Sequence, residues 1–469
     1  MVKLTYTHSN TELEIQAIYK EELKDKSFST AAANAKFKAE QGEVMHFPDD
    51  NVLLAGLGSK KDKLDTRKIG GAIGAKLIAL EIADAQINIS QKLDLDDIYW
   101  ITYATAIRAY KFDKYKSEKK TKLTNLAVLG AHANAIKKSD LQALVEEAIF
   151  ARDLSNEPAN ILTPRAFAAH AKDAAKLGLK IEILDEAQLK KLNMNLILAV
   201  GQGSPNKPYV AVMTHMGDTK SRTINNLLVG KGLCFDSGGV NIKPPKGGMT
   251  NMHADMTGAA CVLAAMRLAA RAKLKTNVVG IIGMVESMPD GAAFKPTDII
   301  KSYSGKTVEI IDTDAEGRMV LGDCAAYGIK RFKPARIVDI ATLTGAARIS
   351  LADQYAGLFT NDDKLCEQIL AAGDACGERC WRLPAGKAFA DMNKSDVADI
   401  ANYAGTSYGG SSTGAEFVHA FCGDTPWAHL DIASVDDASA KAHHLLSPAG
   451  PTGFGASLLY YYLKGSKNA

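Results

Sequence analysis

From Lys180 to Ala341 the chain repeats one pattern, a strand-length apolar run followed by a stretch of helical character. The runs are Lys180–Leu184, Tyr209–Thr214, Asn226–Gly230, Asn277–Met284, Thr307–Asp312 and Arg336–Ala341. Several are apolar almost throughout, as expected of strands covered on both faces rather than one. The intervening helical segments are rich in alanine, notably Thr257–Ala270. Alternation of this kind predicts an α/β fold, a mostly parallel sheet with helices on both faces.

Residues 1 to about 137 show a shorter version of the same alternation. Val52–Gly56 and Leu126–Gly130 read as strands, and Gly70–Ala83 and Asp97–Tyr110 as helices. A linking helix is expected near residues 139–155. Ser139 and Gln142 have capping-box spacing, and Leu141, Leu144, Val145, Ala148 and Ile149 follow at helical intervals. Pro158 forbids continuation. At 469 residues the chain is too long for one ordinary domain. The expected division is a smaller N-terminal α/β domain over 1–150 and a large C-terminal catalytic domain over 156–469.

The net charge of +3 gives no electrostatic reason to expect a nucleic-acid or membrane partner. The seven cysteines are an odd number, all at or after Cys234, which favours free thiols in a reducing cytoplasm over a disulfide framework. The N-terminal residues lack the apolar stretch of a signal peptide, and runs such as Val278–Val285 are far too short to span a membrane. The expected location is cytoplasmic.

In an open α/β sheet, sites form beyond the carboxyl ends of the strands. Residues with chemical potential collect there: Lys231 and Asp236 after one run, Asp314, Glu316 and Arg318 after another, Glu286 after a third and Thr342–Gly345 after a fourth, with Asp255 just before the helix at Thr257. Singly these have ordinary readings. Asp255 alone is a helix N-cap, and Asp314 or Glu316 alone is an acid answering a helix dipole. Together, several carboxylates on one rim remain ionised only if cations neutralise them, and divalent metal fits better than arginine or lysine alone. Other chemistries lack their signatures. There is no phosphate-loop spacing around Lys231, no third glycine after Gly201 and Gly203 at dinucleotide spacing, no G-x-S-x-G and no H-E-x-x-H. The histidines are scattered, and His429 reads as a core or supporting residue rather than a ligand.

Asp312-Thr-Asp-Ala-Glu-Gly-Arg318 resembles the N-T-D-A-E-G-R signature of the leucyl aminopeptidase (cytosol aminopeptidase) family. Lys231-Gly-Leu-Cys-Phe-Asp-Ser-Gly-Gly-Val-Asn-Ile-Lys243 and Met252-His-Ala-Asp-Met-Thr-Gly-Ala-Ala260 resemble two further blocks of that family. So do Asn156–Asn160, Ala341–Ala346, Trp427–Ile432 and Gly450–Gly453, in the same order, over roughly residue 150 to the end.

The resemblance implies a metal-dependent aminopeptidase acting on peptides with a free N-terminus through two-metal-activated water. Asp236 and Glu316 would bridge two divalent ions, Lys231 and Asp255 would complete one shell and Asp314 the other. Zinc or manganese is the leading expectation, with cobalt or magnesium also compatible with oxygen ligands and one amine. Lys243 would stabilise the oxyanion, and Arg318 would hold a bicarbonate acting as general base, with Glu286 as the alternative base. Met252, Thr342, Leu343 and Gly345 would bind substrate, the methionine suiting Leu- or Met-like first residues. The family also implies a hexamer, in which the N-terminal domain takes part. An additional nucleic-acid-binding or scaffolding role, known among relatives, is the alternative, and the near-neutral charge argues against it. Two departures stand out. Asp312 replaces the usual asparagine, and the segment between Lys243 and Asp255, which includes Lys246-Gly-Gly248, is one residue longer than in some relatives.

Overall fold

The computed structural model describes residues 2–6, 11–23, 36–89, 93–244, 248–438 and 446–465. The residues at 245–247, part of the lengthened segment, lie outside these. The chain divides into two compact units, one of residues 1–149 with 438–452 and one of residues 150–437 with 453–469. The division falls inside the helix Leu141–Asn156.

The first unit contains a six-stranded sheet among the described residues, ordered Lys3–Thr5, Asn125–Val128, Asp84–Asn88, Leu13–Ile18, Val52–Gly56, Val44–Phe47. All neighbours are parallel except the last pair. Its helices Thr66–Ala79 and Leu95–Arg108 start with Asp65 and Asp94, whose carboxylates accept the N–H groups of Lys68 and Asp97. Each helix therefore begins two to four residues before the apolar periodicity suggested. The capping box expected at Ser139 and Gln142 does not form. Gln142 instead reaches the N-terminal strand, accepting from Leu4 N–H at 2.8 Å and donating to the Val2 carbonyl. A long-range partner outcompetes the local one.

The second unit is built on an eight-stranded sheet among the described residues. Its order is Cys380–Arg382, Ala356–Thr360, Trp427–Asp431, Arg336–Ala341, Asn226–Asp236, Asn277–Ser287, Tyr209–Met216, Lys180–Leu184. The four central strands are mutually parallel, which aligns their carboxyl ends on one rim. Antiparallel pairing is confined to the flanks. Every residue of Asn277–Ser287 is buried, as its unbroken apolar run requires. Helix Thr257–Arg271 packs against this sheet at very short range. A Cβ on Gly258 would stand 2.2 Å from the Ile340 carbonyl oxygen, and one on Gly230 2.6 Å from Ala259 Cα. Only glycine at both positions lets the helix start sit on the central strands, and that contact sets where Asp255 emerges.

One expectation is corrected. Thr307–Asp312 is not a strand of the main sheet. Only Thr307–Glu309 is extended, and it pairs with Ile299–Lys301 and Ile400–Ala401 in a separate three-stranded sheet. The apolar run was real, but its backbone partners are the short strands Ile299–Lys301 and Ile400–Ala401 rather than any strand of the main sheet. No helix among the described residues is long and apolar enough to cross a membrane.

Helix Gly317–Phe332 carries an acid in its buried face. Asp323 accepts from Leu196 and Ile197 N–H through one oxygen (2.8 and 3.3 Å) and from Tyr303 N–H through the other (2.8 Å). It thereby caps helix Asn195–Gly201, whose own N-cap, Met194, has no acceptor side chain. Burial pushes its carboxyl up to about 7 against the pull of those N–H groups. Asp323→Asn puts an NH2 group against one of the N–H donors. We expect a loss of about 1–3 kcal/mol, read as a lowered urea midpoint. An unchanged midpoint would show that the cap contributes nothing.

Candidate active site

The parallel strand Asn226–Asp236 brings Lys231 into the interior and leaves Asp236 at its end, both buried. Helix Thr257–Arg271 is preceded by the 3-10 turn Met252–Ala254, so Asp255 projects from the turn rather than capping the helix. The turn Asp312–Glu316 leads from the small sheet into helix Gly317–Phe332. Thr342 follows the strand Arg336–Ala341 directly.

These pieces converge. Lys231 Nζ lies 2.8 Å from Asp255 Oδ1 and 3.0 Å from Glu316 Oε1, and donates to the Thr342 carbonyl at 2.9 Å. Lys243 Nζ lies 2.7 Å from Asp236 Oδ2 and 2.5 Å from Asp314 Oδ1. Asp255 Oδ1 also accepts from the Thr342 hydroxyl at 2.7 Å. Asp236, Asp255 and Glu316 each offer an oxygen within 4.8 Å of the others. Lys231, Asp236, Lys243, Asp255, Asp314, Glu316 and Thr342 thus form one cluster.

Burial and mutual repulsion dominate its electrostatics. Desolvation, with the charges of Glu316 and Asp255, holds Asp236 well above the ordinary carboxylate value. Asp255 is also raised by burial, in spite of its contact with Lys231. Glu316 is buried too, yet the two lysines outweigh desolvation and hold it below its usual value. Burial and Glu316 raise the more exposed Asp314 to about 6. Both lysines lose solvation, but the surrounding carboxylates more than compensate and raise them above the ordinary lysine value.

Four carboxylates face two ammonium groups, so the ionised cluster carries two uncompensated negative charges. Of the buried oxygens, Asp255 Oδ2 has no hydrogen-bond donor, and Glu316 Oε1 has only the Lys231 ammonium near it, at 3.0 Å. Buried acceptors without donors are rare in folded proteins and ask for a partner. Hard oxygen donors, a charge deficit and unused lone pairs are together what a divalent cation satisfies.

The remaining candidates fall into place differently. Arg318 is buried in the first turn of helix Gly317–Phe332, and its Nη1 donates to the Asn402 carbonyl at 2.8 Å while its Nε has no partner. Met252 is half-buried at the start of its turn. The Leu343 N–H and the Thr344 hydroxyl are taken by Asp431 (3.1 and 2.6 Å). Gly345 opens helix Gly345–Leu351 with nothing within 4 Å of the place its Cβ would occupy. Glu286 is engaged elsewhere, accepting from Ser204 and Asn206 at 2.7 and 2.9 Å. His429 is fully buried with Nδ1 2.5 Å from Asp339, a supporting pair rather than part of the carboxylate cluster.

Sequence reasoning passed over four residues that shape the cluster. Asp431 secures the Leu343–Thr344 backbone. Thr313 ties the acid turn to the loop after Asp236, donating to the Gly238 carbonyl at 2.6 Å. Asn402 grips the acid turn from the small sheet. Gly317 makes room for Lys231, since a Cβ there would lie 2.3 Å from the lysine Cε. Asp431 and Gly317 stand inside conspicuous motifs, but nothing in a linear pattern says what they touch.

Residues 149–460 match the sequence profile described as "Cytosol aminopeptidase family, catalytic domain". A probable cytosol aminopeptidase of Sinorhizobium medicae is 44% identical over 428 residues, covering 88% of this chain and 84% of that protein. One of Brucella melitensis is 43% identical over 425 residues, covering 87% and 86%. Among solved structures, the bottromycin maturation enzyme BotP in complex with Mn aligns with a TM-score of 0.87 at 31% identity, over 97% of this chain and 99% of that one. The chain therefore belongs to the cytosol aminopeptidase family and is a leucyl aminopeptidase-type hydrolase.

Proposed function

We propose that the protein releases N-terminal residues from peptides at a two-metal centre held by Lys231, Asp236, Asp255, Asp314 and Glu316. The observation that carries this reading is the trio Asp236, Asp255 and Glu316, buried within 4.8 Å of one another with acceptor oxygens to spare. Two divalent ions bound there would supply an activated water and polarise the scissile carbonyl. Manganese or zinc suits these donors, and the likeness to a manganese-bound relative favours trying manganese first.

The chain's own groups do the rest. Lys231 could join a metal shell only as the neutral amine, so its proton would have to leave if cations replaced it among the carboxylates. Lys243, paired with Asp236 and Asp314 here, would be released from them once cations take those carboxylates, and its ammonium would then donate to the oxyanion that develops on the substrate. Arg318 presents an unused, buried Nε–H, which fits an anion such as bicarbonate in the role of general base. Thr342, Leu343 and Gly345 align the peptide, and Met252 lines the pocket for a Leu- or Met-like first side chain. The N-terminal α/β domain, taken as residues 1–150, supports a homohexamer, and seven buried free thiols are consistent with the cytoplasm.

The direct test is Glu316→Gln with manganese present. We expect Leu-amide hydrolysis to fall at least about 100-fold, because even supporting residues around a metal cost 10- to 100-fold. Full activity in that variant, or after exhaustive chelation, would refute the metal centre. Gly317→Ala tests the packing that seats Lys231. Activity should fall about 10- to 100-fold with the fold retained, and wild-type kcat/KM would show that the lysine has slack. Light scattering should find a species of about 300 kDa, six chains of 50.1 kDa. A monomer at micromolar concentration would exclude the hexamer.

A further inference from the structure

We propose that Asn402 is the positioning residue that fixes Arg318 relative to the Asp312–Glu316 turn, so that the hydrolytic step depends on its carboxamide. This rests on reading the carboxylate cluster as the hydrolytic centre.

Asn402 is fully buried at the end of the short strand Ile400–Ala401. Its own N–H donates to the Glu309 carbonyl at 2.9 Å, which anchors it to the small sheet. Its side chain addresses the acid turn in both senses. Oδ1 accepts from Ile311 N–H at 2.8 Å and Asp312 N–H at 3.2 Å. Nδ2 donates to the Asp312 carbonyl at 2.6 Å and lies 3.4 Å from the Ala315 carbonyl. Two donors on one side and two acceptors on the other leave a single orientation for the amide. The same residue's main-chain carbonyl accepts from Arg318 Nη1 at 2.8 Å. One residue therefore holds the turn that carries Asp314 and Glu316 through its side chain and the guanidinium beyond it through its main-chain carbonyl.

That coupling matters because Arg318 has little else to locate it laterally. Its Nε is without a partner. On the far side it meets Gly414, where a Cβ would stand 3.3 Å from Nη2, so the guanidinium is walled in but not bonded there. If the Asn402 amide lets go of the turn, Glu316 and Arg318 can shift independently. A misplacement of about 1 Å between reacting partners is enough to cost about 100-fold in rate. Only asparagine supplies this set of contacts. Aspartate has the shape but presents an acceptor to the Asp312 and Ala315 carbonyls, and glutamine displaces the amide by a methylene.

The role differs from that of a metal ligand. Lys231, Asp236 and Asp255 are held by other elements, and the turn that carries Asp314 and Glu316 keeps its Thr313 bond to the Gly238 carbonyl and its contacts with Lys231 and Lys243, so metal affinity should fall much less than kcat when a change at Asn402 spoils the alignment of Arg318. Asn402→Asp and, in case that variant is too unstable, Asn402→Ser are to be compared with wild type at a temperature well below their melting points. The readouts are kcat and KM for a Leu-amide substrate and affinity for Mn2+ alone by thermal-shift titration.

The expected result is a fall in kcat of about tenfold or more, with KM and Mn2+ affinity within about threefold of wild type. Introduced into an Arg318→Lys background, the same change should cost less than about twofold, because the two residues act as one unit. A kcat within twofold of wild type overturns the proposal. So does Mn2+ affinity that falls in step with kcat, or a full tenfold loss repeated beside Arg318→Lys. If Glu316→Gln is itself fully active, the reading of the centre fails. If Glu316→Gln is inactive while the Asn402 effect is additive, only the role given to Asn402 fails.

Discussion

The centre depends on a lysine buried among acids. Lys231 is almost wholly removed from water, and such a group is tolerable only because Asp255, Glu316 and the Thr342 carbonyl surround its ammonium. Breaking a buried pair by removing one partner typically costs about 3–5 kcal/mol, since the other charge is left without compensation. The reverse is also true of the acids. Asp236, Asp255 and Glu316 lie so close together that without cations they could not all stay ionised. Folding therefore assembles a set of charges that requires positive charge at its middle, and the two lysines meet only part of that demand.

The fold meets the geometric half of the requirement. Parallel pairing of the central strands sets Asp236 and Thr342 on one rim, and the glycine contacts at Gly230 and Gly258 place Asp255 beside them. The acid turn comes from elsewhere. It is suspended between the small sheet and helix Gly317–Phe332, with Thr313 bonded to the Gly238 carbonyl and Asn402 gripping its backbone. Asp312, the departure from the family signature, is half-buried in this loop, and its Oδ1 accepts the Asp314 N–H at 2.9 Å. An asparagine Oδ1 could accept the same N–H, so the contact shapes the turn without calling on the extra charge.

Much of this was legible in the sequence. The unbroken apolar run Asn277–Met284 announced a strand covered on both faces, and the acids following strand ends announced the rim. The misreadings have a common cause. Thr307–Asp312 looks like any other apolar run, and nothing local says that its partners are Ile299–Lys301 and Ile400–Ala401. Gln142 has capping-box spacing, but the backbone of Val2 and Leu4 claims it. Asn402, Thr313 and Asp323 act through contacts between segments far apart in the chain, and such contacts have no periodicity to betray them. Motif spacing identified the atoms of the cluster, whereas the residues that hold those atoms still became visible only in three dimensions.

The division of the cluster among segments has a thermodynamic meaning. Lys231 and Asp236 come from one strand, Asp255 from a turn, and Asp314 and Glu316 from a loop anchored to a different sheet. No single stretch of the unfolded chain offers more than two of these groups close together, so the unfolded state has almost no affinity for an ion that the folded one would hold. Whatever free energy such an ion releases on binding is then credited nearly in full to the folded state. If the centre holds such ions, their concentration in the surroundings would set how stable the folded state is as well as how fast it works.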